Sequence, residues 1–244
     1  MVIPTYNERD RLAELIAALF AAADGRFQLE VVIVDDNSPD GTGALADELA
    51  RQYRVCVVHR AGKLGLGTAV VAGFAATSSE IVGCMDADFS HPPALVPKML
   101  NAFRAANADL LVASRYVPGG STPGWPWGRR LLSRLGCLLA RPLSPIRDAA
   151  SGFFLIRRSV AEQAQIKAGG FKICLELVMR GRPRRLAELP YRFDDREAGQ
   201  SKMTMREATG YLVQLKDLYL LRFFGASRPD RHYRRFATDE LARL

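Results

Sequence analysis

Between residues 1 and 114 short β-branched runs alternate with helix-period patterns, and this alternation constrains the fold more than any other feature of the chain. Val2-Ile3 begins a strand. The segment 9–22 then places Leu12, Leu15, Ile16 and Leu19 on one helical face. Residues 30–35 form a continuous apolar run ending in carboxylates, the pattern of a strand covered on both faces. Helix 42–53, strand 55–58, helix 67–76, strand 81–85, helix 93–105 and strand 110–113 continue the series. Such βαβ repetition predicts an α/β fold with a mostly parallel sheet flanked by helices. A first strand starting at residue 2 is short enough to suggest a late start or a missing edge.

Open α/β sheets bind ligands beyond the carboxyl ends of their strands. This chain puts polar clusters there: Pro4-Thr5-Tyr6-Asn7-Glu8, Asp35-Asp36-Asn37-Ser38, Asp86-Ala87-Asp88 and Ser114-Arg115-Tyr116. All four are expected to face one crevice. Beyond them, 118–127 is rich in Pro and Gly and reads as a loop. Helix 128–140, strand 153–157, helices 159–167 and 173–180, strand 185–193 and helix 205–224 are expected to follow. Residues 227–244 are polar and basic, and no regular structure is expected there.

Composition narrows the function classes. With 244 residues, 48% of them hydrophobic and 25% charged, the chain can bury a substantial core. Lys or Arg interrupts even the greasiest stretch, 212–224, so no membrane-spanning helix is expected. There is no secretory opening either. Four scattered cysteines without a CxxC pair argue against zinc and disulfides, and a reducing, cytoplasmic setting is the expectation. Neither HExxH nor GxSxG occurs, which disfavours metalloprotease and hydrolase chemistry. The net charge of +8 is divided unevenly, −5 over residues 1–114 and +13 over 115–244. An acidic half suits a cation or ribose hydroxyls, and a basic half suits phosphates, nucleic acid or an anionic membrane. Without a recognisable nucleic-acid motif, nucleic acid is the weakest of these partners.

Asp86 and Asp88 are one residue apart, so an extended chain sends both side chains the same way. Paired carboxylates of this kind can hold magnesium or manganese on a diphosphate, although a solvated strand end would look alike. Asp36 is placed to accept from a ribose or base edge, while Asp40 belongs to the turn before the next helix. The stretch Lys63-Leu64-Gly65-Leu66-Gly67 is glycine-rich but lacks the spacing of a phosphate loop. Arg129 and Ser133 share a helix face and could clamp a phosphate or simply line a wet face. Arg196 and Lys202 end a polar loop that could close over a diphosphate or remain an ordinary surface loop. His91 reads as a loop residue beside the dicarboxylate rather than a catalytic base.

Together these segments closely resemble the glycosyltransferase family 2 enzymes: residues 2–8, Val34 to Thr42, Lys63 to Ala69 and Asp86 to Pro92. Ser114-Arg115-Tyr116, Ser151-Gly152-Phe153, Phe171-Lys172-Ile173 and Arg196 through Lys202 narrow the resemblance to the dolichol-phosphate or polyprenyl-phosphate mannosyltransferases. It implies a GT-A type fold that moves mannose from GDP-mannose to a polyprenyl phosphate with inversion. It also implies that Pro4, Tyr6, Glu8, Val34, Asp36 and Lys63 hold the nucleotide, and that Asp86, Ala87, Asp88 and Ser90 serve the metal and diphosphate. Arg115, Arg196 and Lys202 would grip the donor phosphates, and Arg129 and Ser133 would orient the acceptor phosphate. Ser90 stands where some family members carry Gln, which implies a water-mediated contact to the metal. On this reading 1–225 is one catalytic domain, with a nucleotide and metal half (1–115) and an acceptor half (116–225), followed by a basic tail (226–244). Peripheral membrane contact would come from the apolar faces of 131–139 or 212–224, helped by nearby Arg, with a membrane-anchoring subunit as a further partner. The competing readings are a polyprenyl-phosphate glucosyl or other sugar transferase using a UDP-sugar and, more remotely, a basic nucleic-acid or membrane-adaptor protein.

Overall fold

The computed structural model of the chain describes residues 1–166, 172–194, 205–225 and 229–244. Its elements run β1 (Val2–Thr5), α1 (Arg9–Ala23), β2 (Val31–Asp35), α2 (Thr42–Ala50), β3 (Val55–His59), α3 (Leu66–Ala75) and β4 (Ile81–Cys84). A 3-10 turn at Pro93–Leu95 leads into α4 (Val96–Ala105), then β5 (Leu110–Ser114), α5 (Trp127–Ala140), β6 (Phe154–Arg157), α6 (Arg158–Gln163) and α7 (Ile173–Arg180). The chain continues with β7 (Arg185–Pro190), α8 (Met205–Phe224), β8 (His232–Arg235) and α9 (Thr238–Leu241).

The strands form one sheet in the order β3-β2-β1-β4-β6-β5-β7-β8. β6 runs antiparallel to β4 and β5, and the other described pairings are parallel. β2 is buried at all five positions, as a strand covered on both faces must be. On one side of the sheet α1 contributes Leu12, Leu15, Ile16 and Leu19 to a core shared with Met99 and Phe103 of α4. On the other side α3 packs on β1 and β2, and residues of α3, α7 and α8 join Val2, Val32 and Val34 in a second core. Gly73 of α3 permits that approach, since a Cβ there would lie 2.3 Å from Val2 Cγ1.

Two expectations meet the structure here. β1 is short but interior, pairing with β2 over four residues and touching β4 at Val2, so it is not a sheet edge. Residues 227–244 are not an unstructured tail in their described part. β8 adds to β7 in parallel, and Phe236 is buried in the core with Leu241 of α9. A basic, polar strand such as His232–Arg235 carries no hydrophobic alternation, because it is the exposed edge of the sheet. Smaller shifts are at boundaries: α2 stops at Ala50, β7 at Pro190 and α6 at Gln163.

Candidate active site at the carboxyl ends of the strands

The ends of β1 and β2 are tied together by side chains. Asp35 accepts from Thr5 Oγ1 at 3.1 Å, Ser38 N at 3.0 Å and Ser38 Oγ at 2.5 Å. Ser38 Oγ in turn accepts from the Asn7 backbone at 3.0 Å, and Thr42 Oγ1 from the Glu8 backbone at 3.0 Å. Asp40 accepts from Thr42 N and Oγ1 and holds the turn, as expected. Tyr6 is exposed beside this framework, with Lys63 Nζ 4.3 Å from its ring centroid. Pro4 lies in register with Val34 on the neighbouring strand. Asp36 is buried, and Arg60 Nε sits 3.2 Å from its Oδ1 without hydrogen-bond alignment, so that oxygen lacks a hydrogen bond. Burial raises the Asp36 pKa and the Arg60 charge opposes the shift. A buried carboxylate with an unused acceptor suits a ligand N–H or O–H.

Beyond β4 the dicarboxylate is set by its neighbours. Asp86 and Asp88 both reach solvent while Ala87 between them is buried. His91 Nδ1 accepts the Asp86 backbone N–H at 2.9 Å, which makes Nδ1 the unprotonated nitrogen; Nε2 lies 3.9 Å from Asp86 Oδ2. The imidazole is wedged against Phe153, Tyr191 and Phe193. Burial lowers its pKa, and a neutral ring that orients Asp86 follows. Ser90 is buried and donates to Asp88 Oδ1 from its hydroxyl at 2.6 Å and from its backbone at 3.0 Å. No group of three or more His, Cys, Asp or Glu side chains able to hold a metal occurs among the described residues. The donor set present, two solvent-reaching carboxylates, fits a hard divalent cation that draws its remaining oxygens from a diphosphate and water.

Arg115, after β5, is held by a buried carboxylate. Its Nε and Nη2 each lie 2.7 Å from an oxygen of Asp148, and its backbone N–H donates to the same carboxylate at 2.9 Å. Its guanidinium also stacks near Trp125, Tyr116 and Phe193. Burial works against the charge, but Asp148 outweighs it and holds the guanidinium protonated above the ordinary arginine range. Asp148, fully buried, is anchored by its own backbone N–H on Glu188 Oε1 at 3.1 Å. Glu188 accepts in addition from Arg147 N at 2.8 Å and Tyr233 Oη at 2.5 Å. Thus a buried relay of carboxylates connects the crevice to the sheet edge. Sequence reading missed Asp148 and Glu188. A carboxylate inside the apolar strand 185–190 was the available signal for Glu188, since such a group must find buried partners.

α5 presents Arg129 and Ser133 on its half-buried face together with buried Cys137 and Ala140. Arg129 lies 4.0 Å from the Trp125 ring centroid, and Ser133 Oγ is 2.6 Å from Tyr116 Oη, the donor. The opposite face exposes Trp127, Leu131, Leu132, Leu135, Leu138 and Leu139. α8 packs alongside, with Tyr211 Oη on Gly136 O at 2.7 Å and Tyr219 Oη on Leu139 O at 2.8 Å. It exposes Leu212, Val213, Leu220, Phe223 and Phe224. No described helix is long and apolar enough to cross a membrane.

The structure therefore gathers Asp86, Asp88, Ser90 and His91 at one strand end and Tyr6, Lys63 and Asp36 at another. Val34 and Ala87 are core residues, 0% and 2% exposed, so their side chains are turned away from solvent. Ser90 donates its hydroxyl proton to Asp88. Arg115 commits Nε and Nη2 to Asp148. Arg196 and Lys202 lie outside the described residues.

A parallel-dominated sheet with helices on both faces and polar clusters after β1, β2 and β4 is an α/β architecture suited to binding a ligand at the carboxyl ends of its strands. The model of the family described as glycosyl transferase family 2 matches residues 1–165. The chain belongs to glycosyl transferase family 2. It is 38% identical over 216 residues to a dolichol-phosphate mannosyltransferase of Pyrococcus furiosus, covering 87% of this chain. The alignment spans only 61% of that archaeal relative's length. A polyprenol monophosphomannose synthase of Mycolicibacterium smegmatis is 40% identical over 223 residues, with 85% of this chain and 83% of the relative covered. Among solved structures, glucosyl-3-phosphoglycerate synthase of Mycobacterium tuberculosis, in complex with Mn2+, UDP and glucosyl-3-phosphoglycerate, superposes with a TM-score of 0.64 at 22% identity. That match covers 93% of this chain and 80% of the other, and the shared fold is of the GT-A type.

Proposed function

We propose that this chain transfers mannose from GDP-mannose to the phosphate of a polyprenyl phosphate, with inversion at the anomeric carbon, while resting on a membrane surface. The observation that carries the reading is α5, whose half-buried face holds Arg129 and Ser133 while its leucines are exposed. The names of the two mannosyl-transferring relatives support the same choice of donor sugar and acceptor class.

In this scheme the nucleotide half is 1–115 and the acceptor half 116–225. Tyr6, Lys63 and the unused Asp36 oxygen receive the nucleoside, with Pro4 and Glu8 framing it. Asp86 and Asp88 hold magnesium or manganese, oriented by His91 and Ser90. Such an ion, when bound, neutralises charge on the diphosphate. The acceptor phosphate is an anion at neutral pH, so its oxygen attacks the anomeric carbon without a protein base as the bond to the GDP oxygen breaks. What the protein must supply is alignment and positive charge. Arg129 and Ser133 align the acceptor phosphate, and Arg115, locked by Asp148, supplies a fixed charge rather than a mobile clamp. Arg196 and Lys202 complete the donor phosphate site on the strength of the family resemblance.

The exposed leucines of α5 and the exposed end of α8, where Phe224 is 85% exposed, provide a surface for the bilayer interface. A membrane-anchoring subunit would meet the same surface. Replacing Arg129 by Ala tests the division of labour: the KM for the lipid phosphate should rise well beyond that for GDP-mannose. Equal increases would mean that Arg129 serves the donor instead.

A further inference from the structure

A cavity of about 250 Å³ opens beneath α5, lined by Tyr116, Arg134, Cys137, Leu138, Arg141 and Arg147. The transfer scheme leaves its arginines unused, although Tyr116, one of its walls, donates to Ser133 of the proposed acceptor position. Three of its six lining residues are arginines, and all three are exposed. Their segment is strongly one-signed: residues 128–147 contain Arg129, Arg130, Arg134, Arg141 and Arg147 and no Asp or Glu. No carboxylate lines the cavity: Asp148 is paired with Arg115, and Glu188 lies buried on the Arg147 and Asp148 backbone amides and Tyr233. Arg141 is itself positioned, its Nη1 donating to Pro145 O at 2.6 Å, and the Arg134 guanidinium lies 5.9 Å from the Tyr116 ring centroid.

The cavity adjoins the apolar surface. Leu138, one of its walls, is 63% exposed and belongs to the outward leucine face of α5. A guanidinium cluster suits a phosphodiester, because each planar fork can offer paired donors to phosphate oxygens. Cys137 contributes no competing anion: burial, reinforced by Asp148, pushes its thiol up to about 12. A ligand bridging cations and an apolar helix face needs a charged head joined to a greasy body.

We propose that this cavity is a second lipid site, which takes the phosphate headgroup of an anionic bilayer phospholipid and is separate from the acceptor-phosphate position at Arg129 and Ser133. The inference rests on the membrane-surface reading above and adds to it a specific headgroup pocket. It makes the surface selective for acidic bilayers and fixes the rotation of α5 relative to the interface, so that the inward face stays turned to the crevice.

The test is flotation of the protein with phosphatidylcholine vesicles, with and without phosphatidylglycerol. The wild type should float better with the acidic vesicles. A variant carrying R134Q, R141Q and R147Q should lose that preference by at least about tenfold, as expected for removing three interfacial cations, and keep its melting temperature. A charge-matched variant with R26Q, R51Q and R104Q, at exposed arginines elsewhere, should retain it. Equal losses in the two variants would reduce the effect to net charge and overturn the pocket, as would an unchanged preference in the first variant. If the wild type floats with neither vesicle, the membrane reading itself falls. A short-chain phosphatidylglycerol below its micelle concentration should compete with flotation of the wild type where inorganic phosphate does not. Competition by inorganic phosphate alone would make the cavity a site for the free anion and overturn the lipid assignment.

Discussion

Asp148 is the residue on which the charged side of the crevice depends. Replacing it by Asn leaves Arg115 buried without a counter-charge and should cost about 3 kcal/mol in denaturant unfolding. On the proposed scheme it should also lower kcat more than the KM for either substrate, because Arg115 would no longer be held as a fixed charge. Asp88→Ala should instead abolish transfer while costing only about 1 kcal/mol of stability, since its carboxylate reaches solvent and accepts from Ser90. Ser90→Ala should weaken manganese binding by about tenfold or more, the usual effect of removing a group that orients a ligand; isothermal titration reads this directly. The dicarboxylate was legible in the sequence as two carboxylates one residue apart just beyond an apolar strand. Arg115 was legible as a cation at a strand end, but its partner was not: Asp148 lies 33 residues away, and no local pattern joins them. Val34 and Ala87 came with their motif neighbours, and the burial of their side chains leaves their backbone to meet a ligand.

Among the elements, α5 reverses the usual relation between periodicity and burial. A leucine stripe on an amphipathic helix normally faces the core, yet here small and polar residues pack inward and the leucines face out. Periodicity located the helix but could not tell which of its two faces the sheet would cover. Replacing Leu131, Leu135 and Leu138 together by Ser should abolish vesicle binding and leave folding stability within about 0.5 kcal/mol per site, as for other exposed positions. The start of β5 is pinned differently. Asp109, buried, accepts from Arg184 N and Arg185 N at 2.9 Å each and from Arg185 Nη2 at 2.7 Å, joining β5 to β7. Burial would raise its pKa, but these donors outweigh it and hold the carboxyl below its ordinary 3.8. Its contribution is therefore complete above that value and fades as pH falls through the lowered one. Asp109→Asn should cost about 2 kcal/mol near neutrality, and urea unfolding across the acid range should show the difference from wild type closing as the wild-type carboxyl protonates.

For the whole molecule, the strand–helix alternation made the mostly parallel sheet and its flanking helices legible in the sequence. The antiparallel insertion of β6 between β4 and β5 was not, because strand order depends on long-range pairing. The final edge was hidden for a related reason: β8 is four exposed residues, and its place is secured by Phe236 after it. Phe236→Ala should cost about 4 kcal/mol through the cavity it leaves, a value at odds with any account of 229–244 as a loose tail. The sheet, the orienting shell of the dicarboxylate and the outward apolar face converge on one claim, transfer of mannose to a lipid phosphate at a membrane surface. Its most direct test is the formation of radiolabelled mannolipid from GDP-mannose and a short polyprenyl phosphate, with and without magnesium or manganese, alongside UDP-glucose as donor. The account predicts metal-dependent mannolipid from GDP-mannose and none from UDP-glucose. Transfer from UDP-glucose alone, or undiminished mannose transfer by the Asp88→Ala protein, would contradict it.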